Sequence, residues 1–322
     1  MIKNCSLLNP VLNSGCGILT GTERGGVVVN GMIFKGVVPA IATPFKNGAL
    51  DEEALRRHID FQIKGGVQAV LFCGTTGESP TLTHDEHKRV IAIGVEECRG
   101  KVPVLASAGS NSTAESLDFA LYAKQVGADG LLVVTPYYNK PTQEGIFLHF
   151  KAISEVTDLP IIAYNIPGRC GVNIMPETMA RMVKELRLAG VKEATGDLNQ
   201  MIRTIELCGP DFLVSSGDDG LTLPLLAVGG HGIISVAANL IPAPMVEMWQ
   251  AWEAGQAARA RELFFKMLPL FKALFIETNP IPLKAALGLA GFMENEMRLP
   301  MCQPQPETVE KLKPLLKTWG LI

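Results

Sequence analysis

The sequence lacks the residue patterns that mark most metal, nucleotide and nucleic-acid sites. Its seven cysteines are scattered, with no CxxC pair and no Cys/His cluster at ligand spacing, which excludes a structural zinc site. Neither GxGxxG after the first apolar run nor GxxxxGK[ST] is present, which argues against nucleotide binding. A formal net charge of -3 without a Lys/Arg-rich block argues against nucleic acid as a partner.

The sequence also has little that would suit a membrane or an export pathway. Its most apolar long window, 228–246, contains His231, Asn239, Pro242 and Pro244, which would be costly in a bilayer. The start, MIKNCSLLNPVLNSGCGILTG, has no uninterrupted apolar core of the kind a secretory signal needs. Together with the scattered cysteines, this predicts a reduced, cytoplasmic protein without a membrane partner.

The first 31 residues differ from the rest of the chain. Residues 1–31 show neither strand alternation nor a helical period, and Met32 directly precedes an apolar run. Two interpretations stay open, a disordered extension or a start assigned too far upstream.

From residue 36 onward, short apolar runs alternate with longer segments of helical period, which favours βα units and a parallel sheet. The predicted strands are 36–45, 69–74, 102–109, 130–138, 160–167, 188–195, 212–219 and 232–239. Eight such units over about 200 residues are typical of a closed (β/α)8 TIM barrel rather than an open sheet. The fold class is therefore α/β.

The chain is predicted to divide into a barrel catalytic domain over 32–240 and a helical region over 241–322, where prolines separate helical segments. Capping-box spacing predicts two helix starts, and glycines predict two helix ends. These positions are Thr83 with Glu86, Ser112 with Glu115, Gly65, and Gly127.

Active sites of such barrels lie at the carboxyl ends of the strands. Polar residues collect at five of these predicted ends. They are GTTGES (74–79), TPYYN (135–139), YNIPGR (164–169), Lys192 and SGDD (216–219).

Lys192 lies late in the sixth predicted strand, within LAGVKEATGD. Apolar surroundings disfavour an ammonium, so the pKa of this amine should fall and allow a Schiff base with a ketone. The alternatives are a lysine that reaches solvent or one that pairs with Glu193. Strand alternation separates the Schiff-base lysine from these alternatives, because Lys192 and Glu193 should point to opposite faces.

Other side chains at the strand ends could assist such chemistry. Tyr137, Tyr138 and Tyr164 are three of only four tyrosines, and a phenol can donate or accept a proton when it is partly buried. Arg169 follows in a loop, where its guanidinium suits a substrate carboxylate. The hydroxyls of Thr75 and Thr76 could bind a carboxylate and relay protons. Ordinary packing, a solvated arginine and a plain tight turn remain the structural alternatives.

Seven motifs occur in one order and spacing: GTTGES, TPYYNKP, YNIPGR, KEATG, SGDD, GGHGIISV and NPIP. In these motifs the chain, from about Phe34 to its end, resembles the dihydrodipicolinate synthase family of class I aldolases. The resemblance implies condensation of pyruvate with L-aspartate 4-semialdehyde on the route to diaminopimelate and lysine. It implies no cofactor, with pyruvate bound covalently.

The resemblance also implies roles for individual residues. Lys192 would form the Schiff base, and Tyr164 would be the general acid/base, linked through Thr76 to Tyr138. Tyr138 would reach a neighbouring subunit's site, which implies a homotetramer built as a dimer of dimers. Arg169 would hold the semialdehyde carboxylate, and the remaining pyruvate-pocket residues would be Thr75, Thr76, Gly217 and Ile234.

A second implication concerns regulation. Residues of the GTTGES helix and the PYYN loop match the site at which lysine inhibits some family members, between two subunits. The matching residues are Ser79, His84, His87, Asn111, Glu115 and Tyr137. Pro80 departs from the small residues common at its position.

Two other functions remain open. One is a related sugar-acid aldolase, such as N-acetylneuraminate lyase or 2-keto-3-deoxygluconate aldolase, since barrel loops change substrate readily. Arg169 argues against the sialic acid lyases, which usually lack it. The other is a barrel without catalytic activity, which need not keep these polar residues together.

Overall fold

A computed structural model describes residues 31–186 and 188–322, so the predicted extension 1–31 lies outside the described part except for Gly31. Eight parallel strands form one sheet in which each strand neighbours the next along the chain, and the eighth pairs with the first. A bridge between Ala40 and Leu71 joins the first strand to the second and closes the ring. The predicted (β/α)8 barrel is therefore confirmed.

The barrel strands, called the first to the eighth in chain order, are short and buried. They are Gly36–Pro39, Val70–Phe72, Val104–Ser107, Gly130–Val134, Ile161–Asn165, Leu188–Glu193, Leu213–Ser216 and Gly232–Ser235. All eight lie within the predicted ranges. The predictions extended too far at the carboxyl ends, in part because loop residues such as Ala42 and Ala108 are apolar and buried like strand residues.

Helices surround the barrel and continue beyond it. In chain order they are α1 Glu52–Lys64, α2 His84–Cys98, α3 Thr113–Val126, α4 Gln143–Val156, α5 Pro167–Cys170, α6 Pro176–Leu186, α7 Leu198–Cys208, α8 Thr222–Ala227, α9 Pro242–Glu253, α10 Ala257–Ala273, α11 Ile281–Leu289 and α12 Pro306–Thr318. Short 3-10 turns occupy Gly31–Phe34, Ser79–Thr81, Asp219–Leu221 and Ala237–Asn239. A small hairpin pairs Phe45–Lys46 with Ala49–Leu50.

Most predicted helix ends are confirmed. Thr83 and Glu86 exchange both bonds of a capping box at the start of α2. Gly65 caps the end of α1, and Gly127 ends α3 with φ +91°, a left-handed conformation that favours glycine.

The predicted capping box at Ser112 is wrong. Ser112 precedes α3 but its side chain makes no capping hydrogen bond. Glu115 instead contacts the side chains of His84 and Ser110. These two contacts, one of them to another helix, take the carboxylate away from the backbone of Ser112.

Two apolar clusters form the core. The larger lies between the strands and the surrounding helices, and the smaller fills the barrel interior, with Phe34 fully buried in it. A side chain at Gly130 would come within 2.5 Å of the Phe34 ring, so glycine is needed there. Full burial of a phenylalanine contributes roughly 1.5–3 kcal/mol. Phe34 therefore helps to close the end of the barrel opposite the polar loops.

The C-terminal helices pack on the barrel rather than apart from it. Helix α9 lies against the first strand and against α10, while α12 contacts α10 and α11. The division at residue 240 stays a prediction.

Over 31–186 and 188–322 no helix is both long and apolar enough to cross a membrane. The cysteines within these ranges are free.

Candidate active site

Lys192 projects into the barrel interior. It is 5% exposed, and its strand register places it opposite Tyr164 on the fifth strand and Ser215 on the seventh. Its Nζ lies 4.3 Å from the centroid of the Tyr164 ring, which belongs to the interior cluster. The amine is therefore held at the carboxyl ends of three adjacent strands.

Burial lowers the pKa of Lys192 to about 7, with Asp219 opposing this shift and Arg169 adding to it. Desolvation disfavours the charged form of an amine, which is the largest cause here. A large share of the amine is then neutral near pH 7, as nucleophilic attack on a carbonyl requires.

Glu193 faces away from Lys192, as strand alternation predicts. Its carboxylate accepts hydrogen bonds from the Thr195 amide at 2.9 Å and from Asn165 Nδ2 at 3.2 Å. Burial raises the pKa of this carboxyl. The two alternatives for Lys192, a solvent-reaching lysine and a pair with Glu193, are both wrong.

The phenol of Tyr164 is also buried. Burial raises its pKa to about 12, while Arg169 and a hydrogen bond with the Thr75 side chain oppose that shift. A phenol with such a pKa remains protonated at neutral pH and can donate a proton. The hydroxyl therefore has Thr75 as its side-chain partner.

The predicted link from Tyr164 to Thr76 is not what the structure shows. Thr76 is buried, and its Oγ1 accepts a hydrogen bond from Asn279 Nδ2 at 3.0 Å. The two consecutive threonines have different neighbours in this turn. Spacing alone could not tell which hydroxyl faces the tyrosine.

Arg169 lies on the short helix α5 and points toward the same opening. One guanidinium nitrogen donates to the backbone oxygen of Asn279 at 3.0 Å. Asn279 thus contacts both Thr76 and Arg169. The sequence reasoning assigned no role to Asn279, although it lies in the NPIP motif.

A cavity joins these groups at the mouth of the barrel. Thr75, Tyr164 and Arg169 line it together with Ser79 and Tyr137, two residues of the predicted lysine site. Some predicted catalytic and regulatory residues therefore border the same space, although Lys192 is not among the lining residues.

Gly217 and Ile234 complete the surroundings of Lys192. A Cβ at Gly217 would lie 2.7 Å from the Ala194 Cβ and 3.2 Å from the Lys192 Cε, so a side chain would crowd the lysine. Ile234 is buried in the barrel interior. Both positions are compatible with a small ligand held beside the amine.

Asp219 ends the SGDD motif, which by itself predicts no role for this carboxylate. It is 1% exposed, and its carboxylate accepts bonds from Ser235 Oγ at 2.5 Å and from the Val236 and Ala237 amides at 3.1 and 3.0 Å. Burial raises its pKa to about 6. Its negative charge favours the ammonium form of Lys192.

Tyr138 does not join this cluster within one chain. It is 89% exposed with φ +71°, an uncommon left-handed conformation for a residue other than glycine. The phenol is therefore presented outward from the barrel mouth. Tyr137 is half-buried beside it.

The remaining predicted regulatory residues lie nearby, on α2 and α3 and the loop before α3. His84 Nε2 lies 2.5 Å from Glu115 Oε1, on the exposed side. His87 is buried, with Nε2 2.8 Å from the Ser107 backbone oxygen, and burial lowers its pKa to about 4. The Asn111 backbone oxygen accepts from Asn139. Only His84 of the two histidines is accessible to a ligand.

Among the described residues, no group of three His, Cys, Asp or Glu side chains is arranged to hold a metal ion.

Residues 33–319 match the Dihydrodipicolinate synthetase family. The chain belongs to this family.

Relatives agree with that assignment over almost the whole chain. A 4-hydroxy-tetrahydrodipicolinate synthase, a lyase, from Nitratidesulfovibrio vulgaris is 52% identical over 292 residues, which are 90% of this chain and all of the relative. The solved dihydrodipicolinate synthase from Thermotoga maritima is 50% identical with a TM-score of 0.88 over 90% of this chain and all of that one. The enzyme from Cyanidioschyzon merolae, solved with lysine bound, is 38% identical with a TM-score of 0.88 over 90% of this chain and 99% of that one.

Proposed function

We propose that the protein is a 4-hydroxy-tetrahydrodipicolinate synthase that condenses pyruvate with L-aspartate 4-semialdehyde. The observation that carries the proposal is the buried Lys192 amine, with its pKa lowered to about 7, beside the Tyr164 ring. An amine in this state can capture a ketone, which is the first requirement of the reaction. The family's curated relatives carry the same activity in their names.

The proposed reaction begins at Lys192. Its neutral Nζ attacks the keto carbon of pyruvate, water leaves, and a Schiff base forms without a cofactor. Loss of a methyl proton gives an enamine, whose carbon attacks the aldehyde of the second substrate. The aldehyde oxygen takes up a proton as the new carbon–carbon bond forms.

Tyr164 is the proposed proton donor and acceptor for these steps. Its bond with Thr75 supports a relay through Thr75 rather than Thr76. Thr75, Thr76, Gly217 and Ile234 would border pyruvate.

Arg169 would bind the carboxylate of the semialdehyde at the site entrance. Its fixed guanidinium, held by the Asn279 backbone, suits that planar group. This assignment separates capture of pyruvate from recognition of the second substrate.

The exposed phenol of Tyr138 supports a shared site. In the proposed homotetramer, a dimer of dimers, Tyr138 of one subunit would complete the proton relay of its neighbour. The cytoplasmic location stays a prediction.

Lysine feedback is a further part of the proposal. Ser79 and Tyr137 border the active-site cavity, and the Glu115 carboxylate beside His84 suits the ligand's ammonium. The bound lysine in the Cyanidioschyzon merolae enzyme supports this assignment.

Borohydride trapping tests the mechanism. Incubation with pyruvate followed by reduction should add one pyruvate-derived mass to the peptide that contains Lys192, and Lys192→Ala should remove the adduct. A folded wild-type protein without the adduct would rule out the Schiff-base mechanism.

The second substrate needs its own assay, because sugar-acid aldolases form the same adduct. Aspartate semialdehyde should be consumed with pyruvate, whereas N-acetylneuraminate should not be cleaved. Arg169→Ala should impair use of the semialdehyde but still form the pyruvate adduct. Cleavage of N-acetylneuraminate would favour the lyase instead.

A further inference from the structure

A fully buried ion pair lies behind the active-site loop. Lys284 Nζ of α11 is 2.6 Å from Glu78 Oε1, with side-chain exposures of 0% and 2%. Removing two charges from water costs several kcal/mol per ion, so a buried pair seldom adds net stability over apolar residues. The proposed chemistry uses neither residue. Neither stability nor the chemistry of the reacting groups therefore accounts for this pair.

Both charged side chains of the pair make further contacts. Lys284 also donates to the Thr43 backbone oxygen at 2.9 Å, and its Nζ lies 4.4 Å from the Phe45 ring centroid. The second oxygen of Glu78 accepts from the Arg298 amide at 3.2 Å. The C-terminal region and the loop after the first strand thus meet at one ion pair.

Glu78 directly follows Gly77, the last residue of the GTTG turn. Its backbone has φ +53°, an uncommon left-handed conformation that persists where the surroundings hold it. The preceding residue is held as well, because Thr43 Oγ1 donates to the Gly77 backbone oxygen at 2.7 Å.

Thr76, which precedes Gly77, is also hydrogen-bonded to another part of the fold. Asn279 Nδ2 donates to Thr76 Oγ1 at 3.0 Å, so residues 76–78 are all bound to other parts of the fold. Thr75 is the next residue, and it borders the active-site cavity together with Tyr164. The loop is anchored on one side and presents Thr75 on the other.

We infer that Glu78 and Lys284 are positioning residues that hold the loop so that Thr75 meets Tyr164. They act through the loop backbone and touch no reacting atom. The inference rests on the proposed function, since Thr75 matters to turnover only if it serves the proton relay. A displacement of about 1 Å at a catalytic group can reduce the rate roughly 100-fold.

The test replaces both charges together in the full-length protein. Either single change would leave an unpaired buried charge, which is strongly destabilising. The double variant Glu78→Gln/Lys284→Met removes both charges and nearly keeps the volume. We expect a native circular dichroism spectrum, a kcat lowered roughly 10- to 100-fold, and little change in the KM for aspartate semialdehyde.

Two further variants make the result specific. Thr43→Val removes the bond to Gly77 while keeping the side-chain shape, and kcat should fall several-fold. If the double variant does not fold, the result for Thr43→Val decides whether the positioning inference holds. Ile153→Ala, in the core between α4 and the barrel, should lower thermal stability without lowering kcat.

The outcomes distinguish a failure of the positioning inference from a failure of the proposed function. An unchanged kcat in the folded double variant, or in Thr43→Val if that variant is the one that decides, would overturn the positioning role. An equal loss of kcat in Ile153→Ala would also overturn it, because general loosening would then explain the effect. Failure of the proposed function itself would show in the wild type, as absent turnover and no pyruvate adduct.

Discussion

Lys192 Nζ lies 4.3 Å from the centroid of the Tyr164 ring, and the two residues are register partners on adjacent barrel strands. An aromatic face favours the ammonium form, whereas burial favours the neutral amine. Burial is the larger effect, since the pKa of Lys192 falls to about 7. The same contact keeps the amine beside a protonated phenol.

The lowered pKa of Lys192 predicts the pH dependence of pyruvate capture. Only the neutral amine attacks, so the rate of adduct formation should rise with pH through about 7 and then level off. Asp219→Asn removes a negative charge that favours the ammonium, and should move the midpoint to lower pH. Arg169→Ala removes a positive charge and should move it to higher pH.

Quenched-flow trapping with borohydride at a series of pH values would measure these midpoints. Glu185→Gln, on the exposed side of α6, is the control and should leave the midpoint unchanged. A wild-type midpoint near the ordinary lysine value of about 10.4 would contradict a desolvated Lys192.

The two neighbouring threonines should differ in their effects. Thr75→Val removes the partner of Tyr164 and should lower kcat roughly 100-fold or more. Thr76→Val leaves the Asn279 amide unpaired and should lower the free energy of unfolding by about 1–3 kcal/mol, with a smaller loss of kcat. Steady-state kinetics and thermal unfolding of both variants would decide. A larger loss of kcat in Thr76→Val would instead support the relay through Thr76 that the sequence predicts.

The exposed Tyr138 predicts that activity can be shared between subunits. Tyr138→Phe and Lys192→Ala should each be nearly inactive alone. After unfolding and refolding together, mixed oligomers should recover a fraction of the wild-type activity, because some sites combine an intact Lys192 with an intact Tyr138. Recovery should be absent when each variant is refolded separately and mixed afterwards. A fully active Tyr138→Phe would argue against its role in the relay.

Lysine inhibition should depend on Glu115. Saturating L-lysine should reduce steady-state turnover of the wild type, and Glu115→Gln should weaken that inhibition, since the carboxylate would no longer attract the ligand's ammonium. Asp118→Asn, on the same helix and paired with Lys88, is the matched control. Turnover that does not respond to lysine in the wild type would remove this part of the proposal.

Much of the fold was predictable because the barrel repeats one simple pattern. Eight apolar runs alternated with helical segments, and the strands lie where the runs are. The strand ends were less predictable, since residues such as Ala42 and Ala108 are apolar and buried in loops. The capping box at Ser112 failed for a similar reason. His84, which is 31 residues away in sequence, binds the Glu115 carboxylate in place of the local bond.

The sequence by itself determined the barrel, the family and the placement of Lys192 and Glu193 on opposite faces of one strand. These follow from local periodicity and ordered motifs, which a linear chain records directly. Only the tertiary structure decided that Thr75 faces Tyr164, that Asn279 joins Thr76 to Arg169, and that Lys284 pairs with Glu78. The last two links span more than 100 residues of sequence, and such contacts depend on how the C-terminal helices pack against the barrel mouth.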